Sequence, residues 1–533
     1  MNAPELSDAV LAPLQALLGP RLLSDAASRA FYANDIFWQP GVMPTAIALP
    51  ETVQEAAAVV RTASELGLAV VPRGGGMSYS KGYLADRPGW IVVDMRRLDR
   101  VVEVNADDLY VVVEAGCTWA KLHEALQGSG LRTGYWGPLS GINATIGGAL
   151  SQQSAFFGSG RFGVVADSVI GLEVILADGR VVATGSGGRT AAKPFTRYSG
   201  PDLTGLFLGD TGALGLKARA VLRLRPEAAA TGFLSFGFAS MAAMVEAQVG
   251  LGRTGLIAET FGIDRAKAEH SASVNRVSDN LKALANVARA SGGLLKGVRE
   301  AAAVAGAGTG FLKEHAFTLH MTVETDNDAG LAGSLDRLRR IAAAAGAKEI
   351  EPSVPKVMRA RPFGPVRGML GLDGQRWVPI HAVFPLGDAQ KVVAANEAYF
   401  AERADFVKRH GVLVSVMTMT VGSEFFLEPA FYWYDEITPL HAASLGEAVV
   451  KPWLDRPADE GARAAVVELR AGCQQLYAGL GGVSWQIARD YPFRTVLKPE
   501  TWALLTALKQ ALDPRGLMNP GALGLGGPAP AMQ

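Results

Sequence analysis

The stretch Val70-Val71-Pro72-Arg73-Gly74-Gly75-Gly76-Met77-Ser78-Tyr79-Ser80 decides the fold of this chain. Apolar residues typical of a strand lead into Pro72, and three consecutive glycines follow. Glycines accept positive φ and let a backbone approach a ligand closely. Successive N–H groups without intervening side chains bind anions, and the hydroxyls of Ser78 and Ser80 add donors. The stretch therefore predicts a phosphate-binding turn, with a merely flexible turn as the alternative.

The residues before this turn predict one βαβ unit. Residues 45–49 and 68–71 have strand composition, and residues 53–66 form an amphipathic helical pattern that starts after Pro50-Glu51-Thr52 and ends at Gly67. The glycine turn thus follows the second strand, at the edge where α/β units bind their ligands.

A second glycine-rich turn lies downstream, at Trp136-Gly137-Pro138-Leu139-Ser140-Gly141-Ile142-Asn143-Ala144-Thr145-Ile146-Gly147-Gly148. Strands predicted at 90–94, 101–104 and 110–114 and a helix at 119–129 separate the two turns, so they cannot form a single mononucleotide loop. Together they predict a grip on the two phosphates of a dinucleotide. Gly158-Ser159-Gly160-Arg161-Phe162-Gly163 formally matches the nicotinamide-dinucleotide fingerprint. It follows polar residues instead of a strand, so we do not interpret it that way.

Composition excludes several classes of protein. The chain has 533 residues, and its 51 lysines and arginines balance 51 aspartates and glutamates, so no net charge draws it to nucleic acid or to an anionic membrane. Its two cysteines, Cys117 and Cys473, exclude a disulfide framework and suit a reducing compartment. The first residues lack a basic region, and no apolar run reaches the ~18 residues of a membrane span. We expect a cytoplasmic protein.

Four motifs and a closing segment follow one another in a fixed order. They are Pro72-Arg73-Gly74-Gly75-Gly76-Met77-Ser78, then Ser140 to Gly148, then Gly171-Leu172-Glu173-Val174-Ile175-Leu176-Ala177-Asp178-Gly179, then Gly200-Pro201-Asp202-Leu203-Thr204-Gly205-Leu206-Phe207, and finally Ala511-Leu512-Asp513-Pro514-Arg515-Gly516-Leu517-Met518-Asn519-Pro520-Gly521. This order resembles the vanillyl-alcohol oxidase and p-cresol methylhydroxylase family of flavoproteins, which have a PCMH-type FAD-binding domain. D-lactate and glycolate dehydrogenases and alkyl-glycerone-phosphate synthases share that domain.

The resemblance implies an α+β fold: a PCMH-type FAD-binding domain of two α+β subdomains, with an inserted cap domain built on an antiparallel sheet covered by helices. We assign residues 1–44 to an N-terminal arm, 45–227 to the FAD-binding domain, 228–480 to the cap and 481–533 to a C-terminal segment that returns to the FAD-binding domain. The cap sequence agrees with this division. Its strand-rich segments are 232–238, 317–324, 375–385 and 412–428, its helical segments include 331–345 and 389–410, and the alanine- and glycine-rich stretch 289–310 predicts a surface connection, with a lid as the alternative.

The resemblance also implies FAD, and Met77 indicates that the FAD is not covalently bound. Many relatives bond the flavin through a histidine after the three glycines, and a thioether cannot make that bond. Others use a cap histidine or tyrosine after a Val-Gly step, but Val421-Gly422-Ser423-Glu424 offers neither. For Gly147 and Gly148, a helix–strand packing turn is the alternative role. The expected cofactor-binding residues are Pro72, Arg73, Gly74, Gly75, Gly76, Met77, Ser78, Tyr79, Pro138, Ser140, Gly141, Thr145, Gly147, Gly148, Val169, Val174 and Asn519.

The candidate catalytic residues lie in the predicted cap. In a strand over 428–435, Tyr432 and Tyr434 share one face. Opposite it we place 376–384, where His381 shares a strand face with Pro379 and Val383. Oxidation of an alcohol requires removal of its proton, and imidazole suits that task. His381 is therefore the preferred base and Tyr432 or Tyr434 the next, with a buried core histidine as the alternative interpretation of His381; His441 is as readily a surface residue.

The candidate substrate contacts precede the closing helix. Phenol-oxidising relatives carry a tyrosine–arginine pair there, and this chain has Trp485-Gln486, followed by Arg489 and Arg494. Trp485 suits a flat substrate, and the two arginines suit a carboxylate or phenolate. Their alternatives are surface salt bridges or contacts to the flavin phosphates. The motif His-x-x-Gly-Asp-Gly-Asn of the D-lactate branch does not occur, so we expect no metal.

We therefore expect an FAD-dependent oxidoreductase that oxidises an alcohol carbon by hydride transfer to flavin N5. An aromatic alcohol, benzylic or phenylpropanoid-like, is slightly favoured. A D-2-hydroxy acid dehydrogenase is the alternative; a flavin-dependent lipid-ether synthase or a non-catalytic FAD-binding protein is the second alternative. Oxygen or an electron-carrier protein is the expected acceptor, and a homodimer is one assembly that the family allows.

Overall fold

The computed structural model describes residues 8–38, 41–268, 314–371 and 373–526, so the predicted surface connection at 289–310 lies outside the described residues. The strands are β1 (Leu22–Leu23), β2 (Ala46–Ala48), β3 (Ala69–Arg73), β4 (Trp90–Asp94), β5 (Val101–Asn105), β6 (Tyr110–Glu114), β7 (Leu131–Thr133), β8 (Val169–Ile175), β9 (Val181–Ala183), β10 (Leu216–Pro226), β11 (Ala230–Phe238), β12 (Ile257–Asp264), β13 (Phe317–Thr325), β14 (Lys348–Ile350), β15 (Arg376–Pro379), β16 (Ala382–Pro385), β17 (Leu413–Val421) and β18 (Glu424–Trp433). The α-helices are α1 (Asp8–Leu18), α2 (Ala26–Tyr32), α3 (Val53–Glu65), α4 (Trp119–Leu126), α5 (Ile146–Gln152), α6 (Ser159–Phe162), α7 (Leu203–Leu206), α8 (Met241–Gly252), α9 (Asp328–Ala344), α10 (Ser353–Ala360), α11 (Ala389–Glu402), α12 (Ala404–Arg409), α13 (Pro439–Leu445), α14 (Glu447–Val450), α15 (Glu460–Gly479) and α16 (Pro499–Leu512).

The chain divides into two compact units. Unit 1 consists of Met1–Ser154, Val165–Pro226 and Trp485–Gln533, and unit 2 consists of Ala155–Val164 and Glu227–Ser484. The ten-residue segment 155–164, which the sequence analysis assigned to the FAD-binding domain, therefore packs with unit 2.

Unit 1 contains two sheets. The first has the order β1-β2-β4-β3, with β2, β4 and β3 parallel. Helix α3 connects β2 to β3, and the Thr52 side chain caps it by accepting from the N–H of Glu55. The second sheet is antiparallel, with the order β5-β6-β10-β8-β9 and with β7 paired to β10. Strands β8 and β9 form a hairpin, and Asp178-Gly179 lie in its turn.

Unit 2 is built on an antiparallel sheet of order β14-β11-β13-β12-β17-β18-β15, with β16 also paired to β18. Helices α8, α9 and α15 pack on this sheet, and α11 packs on α8. On the face of the sheet that the helices cover, two glycines leave room for helix side chains. Leu331 and Leu335 of α9 fill the space beside Gly232, and Met244 of α8 fills the space beside Gly262. The predicted α+β fold, with an antiparallel sheet covered by helices, is confirmed.

Several predicted elements have different boundaries. The strand-rich segment 375–385 contains two strands, β15 and β16, and the helical segment 389–410 contains two helices, α11 and α12. Strand β18 ends at Trp433, so the prediction that Tyr434 lies in a strand beside Tyr432 is wrong. Helices α8 and α15 and strand β12 were not predicted.

Candidate functional site

The two glycine-rich turns of unit 1 touch each other. A Cβ on Gly74 would lie 2.2 Å from Thr145 Oγ1, and a Cβ on Gly75 would lie 1.8 Å from the carbonyl oxygen of Asn143. No side chain fits in that space. Two of the three glycines are therefore required by the contact between the turns, in addition to any ligand.

The first turn presents backbone donors that the protein does not use. Within the described ranges, the amide N–H groups of Gly74, Gly75, Gly76 and Met77 donate no hydrogen bond. Gly76 has φ +71°, and alternation of φ sign in a turn makes successive N–H groups converge. In the second turn, the N–H groups of Ser140 and Thr145 are likewise unused by described residues. This arrangement fits the pyrophosphate of a dinucleotide.

Arg73 adds positive charge below the first turn. Its side chain is buried, with Nη1 3.9 Å from Asp94 Oδ2 and the guanidinium 4.5 Å from the ring centroid of Tyr32. Asp94 is held more closely by Arg96, at 2.6 Å. Nε and Nη1 of Arg73 make no hydrogen bond within the described chain. A buried guanidinium with unused donors beside unused amides favours an anionic ligand.

Internal hydrogen bonds brace the first turn. The Tyr83 hydroxyl donates to the carbonyl of Gly76 at 2.8 Å, and the hydroxyls of Ser78 and Ser80 lie 3.0 Å apart. Tyr79 is buried and Pro72 is partly buried. The turn is thus preorganised, which reduces the entropy that ligand binding would cost.

The second turn shows which of its glycines serve packing. Gly147 donates its N–H to the carbonyl of Ala115, and a Cβ there would lie 2.8 Å from the Ala115 Cβ, so the alternative of a packing turn accounts for Gly147. Thr145 caps α5 by accepting from the N–H of Gly148 at 3.3 Å. Gly141 donates to the carbonyl of Pro138 and Ala144 to that of Ser140, which closes the turn.

Two expected cofactor contacts lie inside the second sheet of unit 1. Val174 pairs with Val182 on one side and Lys217 on the other and is fully buried, and Val169 pairs with Leu222. The backbone of Val174 is therefore occupied by the sheet, and the expectation that it contacts the cofactor is not supported by this position.

Asn519 joins segments of unit 1 instead of presenting a free amide. Its Nδ2 donates to the carbonyls of Gly82 (2.9 Å) and Thr211 (2.6 Å), and its Oδ1 accepts from Arg489 at 2.6 Å. Both amide hydrogens are thereby used. The side chain of Asn519 therefore has a structural role, and a cofactor contact of this residue stays a prediction.

Most of the predicted substrate-binding residues of unit 1 also contact other groups of the protein. Arg489 donates to the carbonyls of Lys81 and Pro520, and burial lowers its pKa to about 10. Arg494 is exposed and lies over the ring of Trp502. Trp485 is partly buried. The prediction that the two arginines bind substrate is therefore disfavoured, because one is tied to the backbone and the other packs at the surface.

In unit 2, one face of the sheet carries ionisable and aromatic side chains. Directly paired residues share a face, and the pairs His320–Phe261, Phe261–Met419 and Met419–Phe426 form one row across the sheet. By alternation along β18, Glu428 and Tyr432 share the face of Phe426. This surface, which we call the polar face, is the face opposite to the positions covered by α8 and α9.

His381 lies in the two-residue break between β15 and β16, so its predicted place within one strand is wrong. Both strands nevertheless pair with β18 in one register, Pro379 with Ala430 and Ala382 with Leu427, which leaves His381 opposite Glu428. The imidazole is buried and stacks on Phe426, with ring centroids 5.2 Å apart. The structure therefore brings His381 to the polar face with Tyr432.

Tyr434 is separated from this cluster. It is 49% exposed, and its hydroxyl accepts from Gln375 at 3.2 Å. Arg456 covers its ring at 4.8 Å. An exposed phenol is a poor catalytic group, so Tyr434 is the weakest of the predicted catalytic residues.

Glu428 and Lys267 are functional candidates that the sequence analysis missed. Nζ of Lys267 donates to the Tyr432 hydroxyl at 3.1 Å. Glu428 is 8% exposed, and burial raises its pKa to about 7 although Lys267 opposes the shift. A signal was available: Glu428 interrupts the apolar run Phe425 to Trp433, and a buried strand rarely carries an unneeded acid.

Two other histidines of unit 2 are buried and held neutral. His320 lies between the hydroxyls of Ser235 (2.8 Å) and Thr318 (3.0 Å), and burial lowers its pKa to about 3. His441 is fully buried beside Thr438, and its pKa also falls to about 3. The surface alternative for His441 is wrong.

The segment 155–164 is held by an acidic pair on the polar face. The N–H of Gly158 donates to Glu259 Oε1 at 2.9 Å, and Arg161 donates to the carbonyl of Glu324. Arg359 of α10 pairs with Glu259 at 2.7 Å and with the Glu324 carboxylate. The glycine-rich segment that resembled a dinucleotide fingerprint thus has a structural role in unit 2.

Metal-ligand clusters and membrane-spanning helices do not occur among the described residues. In the described ranges, no three histidine, cysteine, aspartate or glutamate side chains are grouped as a metal site. No described helix combines the length and apolarity that crossing a bilayer requires.

Comparisons with known proteins agree with the dinucleotide site. Residues 44–185 match the family described as FAD binding domain, and residues 492–523 match the family described as FAD linked oxidases, C-terminal domain. The chain is similar to D-lactate dehydrogenase [cytochrome], mitochondrial, of Arabidopsis thaliana, with 31% identity over 219 residues, 40% of this chain and 37% of the relative. It is 31% identical over 212 residues to glycolate oxidase subunit GlcD of Bacillus subtilis strain 168, covering 39% and 43% of the two chains.

A third relative is D-2-hydroxyglutarate dehydrogenase of Xanthomonas citri pv. viticola, with 32% identity over 217 residues, 40% of this chain and 44% of the relative. The chain thus spans about two-fifths of the length of the curated relatives it matches.

Solved structures resemble the fold over nearly the whole chain. 4-Ethylphenol oxidase from Gulosibacter chungangensis, in an isoeugenol complex, has a TM-score of 0.73 at 17% identity and covers 98% of both chains. p-Cresol methylhydroxylase with substrate bound has a TM-score of 0.72 at 15% identity, again over 98% of both chains. At these identities the likeness concerns the fold alone.

Proposed function

We propose that the chain is a PCMH-type FAD-linked oxidoreductase and that it oxidises the CH–OH carbon of a 2-hydroxy acid, using non-covalent FAD. The sequence relatives favour this alternative over the aromatic alcohol that the sequence analysis slightly preferred, because all three named above act, by their names, on hydroxy acids.

The observation that carries the proposal is the cluster on the polar face of unit 2. An imidazole (His381), a carboxyl whose pKa is raised to about 7 (Glu428) and an ammonium (Lys267) occur there beside the Tyr432 hydroxyl. A carboxyl whose pKa is raised to about 7, beside an imidazole, suits general acid–base catalysis.

Residues of each unit have a part in the proposed reaction. FAD, when bound, would supply the acceptor for the hydride that leaves the carbinol carbon. The unused amides of Gly74 to Met77 and the charge of Arg73 would hold its pyrophosphate. His381 takes the hydroxyl proton of the substrate, Tyr432 orients that hydroxyl, and the aromatic ring of Phe426 fixes the plane of the imidazole.

An aromatic alcohol is the second candidate. Phe261, Phe426 and Tyr432 line the polar face, and aromatic rings favour a flat substrate through stacking. The acceptor is an electron-carrier protein or oxygen, and the name of the Arabidopsis relative, which includes cytochrome, favours the carrier.

Anaerobic reduction of the bound flavin tests the function. We expect D-lactate, glycolate or D-2-hydroxyglutarate to bleach the flavin absorbance faster than vanillyl alcohol. His381→Ala should slow bleaching by about 10²- to 10⁴-fold at unchanged FAD content. The matched control is His410→Ala, a change in the partly exposed histidine that follows α12. Bleaching by aryl alcohols alone would reverse the order of the candidates, and bleaching by neither class would overturn the proposal.

A further inference from the structure

We propose that Lys267 and Glu428 form the subsite that binds the carboxylate of the substrate, with the Lys267 ammonium as its anchor and the protonated Glu428 carboxyl as a second donor. The inference rests on the proposed function, since the acid bound here is the hydroxy acid that is oxidised.

The backbone positions Lys267 firmly despite its long side chain. It lies in the helical residues 265–268 that directly follow β12, where its N–H donates to Asp264 Oδ1 at 2.7 Å. The other oxygen of Asp264 accepts from the N–H of Val416 in β17 at 2.8 Å. Asp264 therefore fixes the start of this helical segment to the neighbouring strand, and the Tyr432 hydroxyl, 3.1 Å from Nζ, fixes the tip of Lys267.

The charges around this ammonium are incomplete. In the described part of the chain, no carboxylate lies within ion-pair distance of Lys267 Nζ, and the Glu428 carboxyl makes no hydrogen bond. A phenol hydroxyl contributes no full negative charge. Lys267 has a half-buried ammonium with one of its three donors used by Tyr432, and Glu428 is a buried acid without a hydrogen-bond partner. An anion would supply the acceptor that both groups lack. The carboxylate of a hydroxy acid supplies it.

The protonation state of Glu428 determines the pH range in which the subsite binds a carboxylate. Its pKa of about 7 lies above the ordinary value near 4.5, so it is mostly neutral below pH 7 and anionic above. Neutral Glu428 donates to a carboxylate, whereas ionised Glu428 repels it and competes for Lys267. The ionisable groups that face Glu428 are Lys267, Tyr432 and His381. The Asp264 carboxylate accepts from backbone N–H groups, and Met417, the residue of β17 that pairs with Glu428, is uncharged.

Oxalate, a dicarboxylate that cannot be oxidised by hydride loss, is the probe. Its Kd for the holoenzyme is measured from the change in flavin absorbance. Lys267→Met should raise this Kd about 10- to 100-fold, as expected for loss of a hydrogen bond between charged groups, and Lys267→Arg should restore most of the affinity. Lys391→Met, which changes an exposed lysine of α11, is the matched control and should bind as the wild type does.

The pH profile separates Glu428 from a merely structural acid. The Kd of the wild type should rise about tenfold per pH unit above pH 7. Glu428→Gln should bind oxalate like the wild type at pH 6 and keep that Kd to pH 8.5, because its amide cannot ionise. A profile for Glu428→Gln that still rises above pH 7 would overturn the role of Glu428.

The outcomes keep the two proposals apart. If no hydroxy acid reduces the wild-type flavin, the proposed function fails. If the wild type is reduced by D-lactate but Lys267→Met keeps the wild-type KM for D-lactate and Kd for oxalate, only the subsite fails. Absence of oxalate binding to the wild type at pH 6 would also overturn the subsite.

Discussion

At Met77 the chain has a thioether in the turn whose neighbouring amides are free to hold phosphate. A thioether cannot form the bond that a histidine makes to the flavin ring at this place in many relatives. The flavin is then held by fit, hydrogen bonds and charge alone. This remains a prediction from one residue type, and it has a direct chemical test.

Acid precipitation of the purified holoprotein should release the yellow chromophore into the supernatant. Denaturation removes every non-covalent contact, so nothing retains the cofactor. Free FAD carried through the same precipitation gives the absorbance expected for full release. Colour that stays with the washed pellet would contradict the prediction and indicate a linkage through another residue.

Gly75→Ala should weaken both stability and FAD binding. The added Cβ would lie 1.8 Å from the carbonyl oxygen of Asn143, so the two turns must separate. Overpacking of this kind costs about 1–3 kcal/mol. Thermal unfolding and FAD titration measure the two effects. Gly41→Ala is the control, since nothing lies within 4 Å of its Cβ position; equal behaviour of both variants would show that the turns tolerate separation.

Residue roles could be predicted where the local sequence carries the signal. The three glycines identify a turn by themselves. The hydrogen bonds of Asn519 could not be predicted, because the partners of its side-chain amide lie 308 and 437 positions away along the chain. Glu428 has the same difficulty, since its raised pKa follows from burial that only the folded sheet creates.

At the scale of the elements, burial on both faces did not prevent prediction of a strand: β4 is buried at every position and was predicted over its full length, 90–94. Helix α8 was missed because its buried residues occur all round it, and a helix without a polar side lacks the 3.6-residue period. The break between β15 and β16 could not be predicted either, because both strands pair with β18 in the same register and the break does not shift the pattern of residues. His381 lies at this break, where its backbone is released from regular strand geometry.

In helix α10, Arg359 pairs with two acidic side chains of the sheet of unit 2. Arg359→Met removes this cation from the buried carboxylates of Glu259 and Glu324. We expect a loss of about 3 kcal/mol in the free energy of unfolding, by analogy with other broken buried ion pairs. Urea unfolding measures this loss. The exposed Arg340→Met of α9 is the control, and similar stability of the two variants would contradict the prediction.

At the scale of the whole molecule, the chain passes between its two units four times, at 154/155, 164/165, 226/227 and 484/485. The predicted domain boundaries at 227 and 480 lie beside the passages at 226/227 and 484/485, and the assignment of domains stays a prediction. Ten residues are too few to carry a compositional signal of their own, so only tertiary contacts reveal that segment 155–164 belongs to unit 2.

A fragment of residues 227–484 should not fold as stably as unit 2 does in the full chain. It lacks the Gly158 N–H that donates to Glu259 and the Ser159 carbonyl that accepts from Gly422. We expect a broad thermal transition by circular dichroism, sharpened when a peptide of residues 155–164 is added. A sharp transition without the peptide, unchanged on its addition, would show that the segment is dispensable.

The passage of segment 155–164 into unit 2 has a consequence for biosynthesis. Gly158 and Glu259 are 101 positions apart, so at ribosomal rates of about 5–20 residues per second roughly 5–20 seconds separate their synthesis. Completion of unit 1 is delayed longer, because Val70 of β3 pairs with Met518 near the other end of the chain. Each unit needs residues that are synthesised much later before its fold is complete. Nascent chains of this protein therefore stay partly unfolded, and need protection from aggregation, until translation is almost complete.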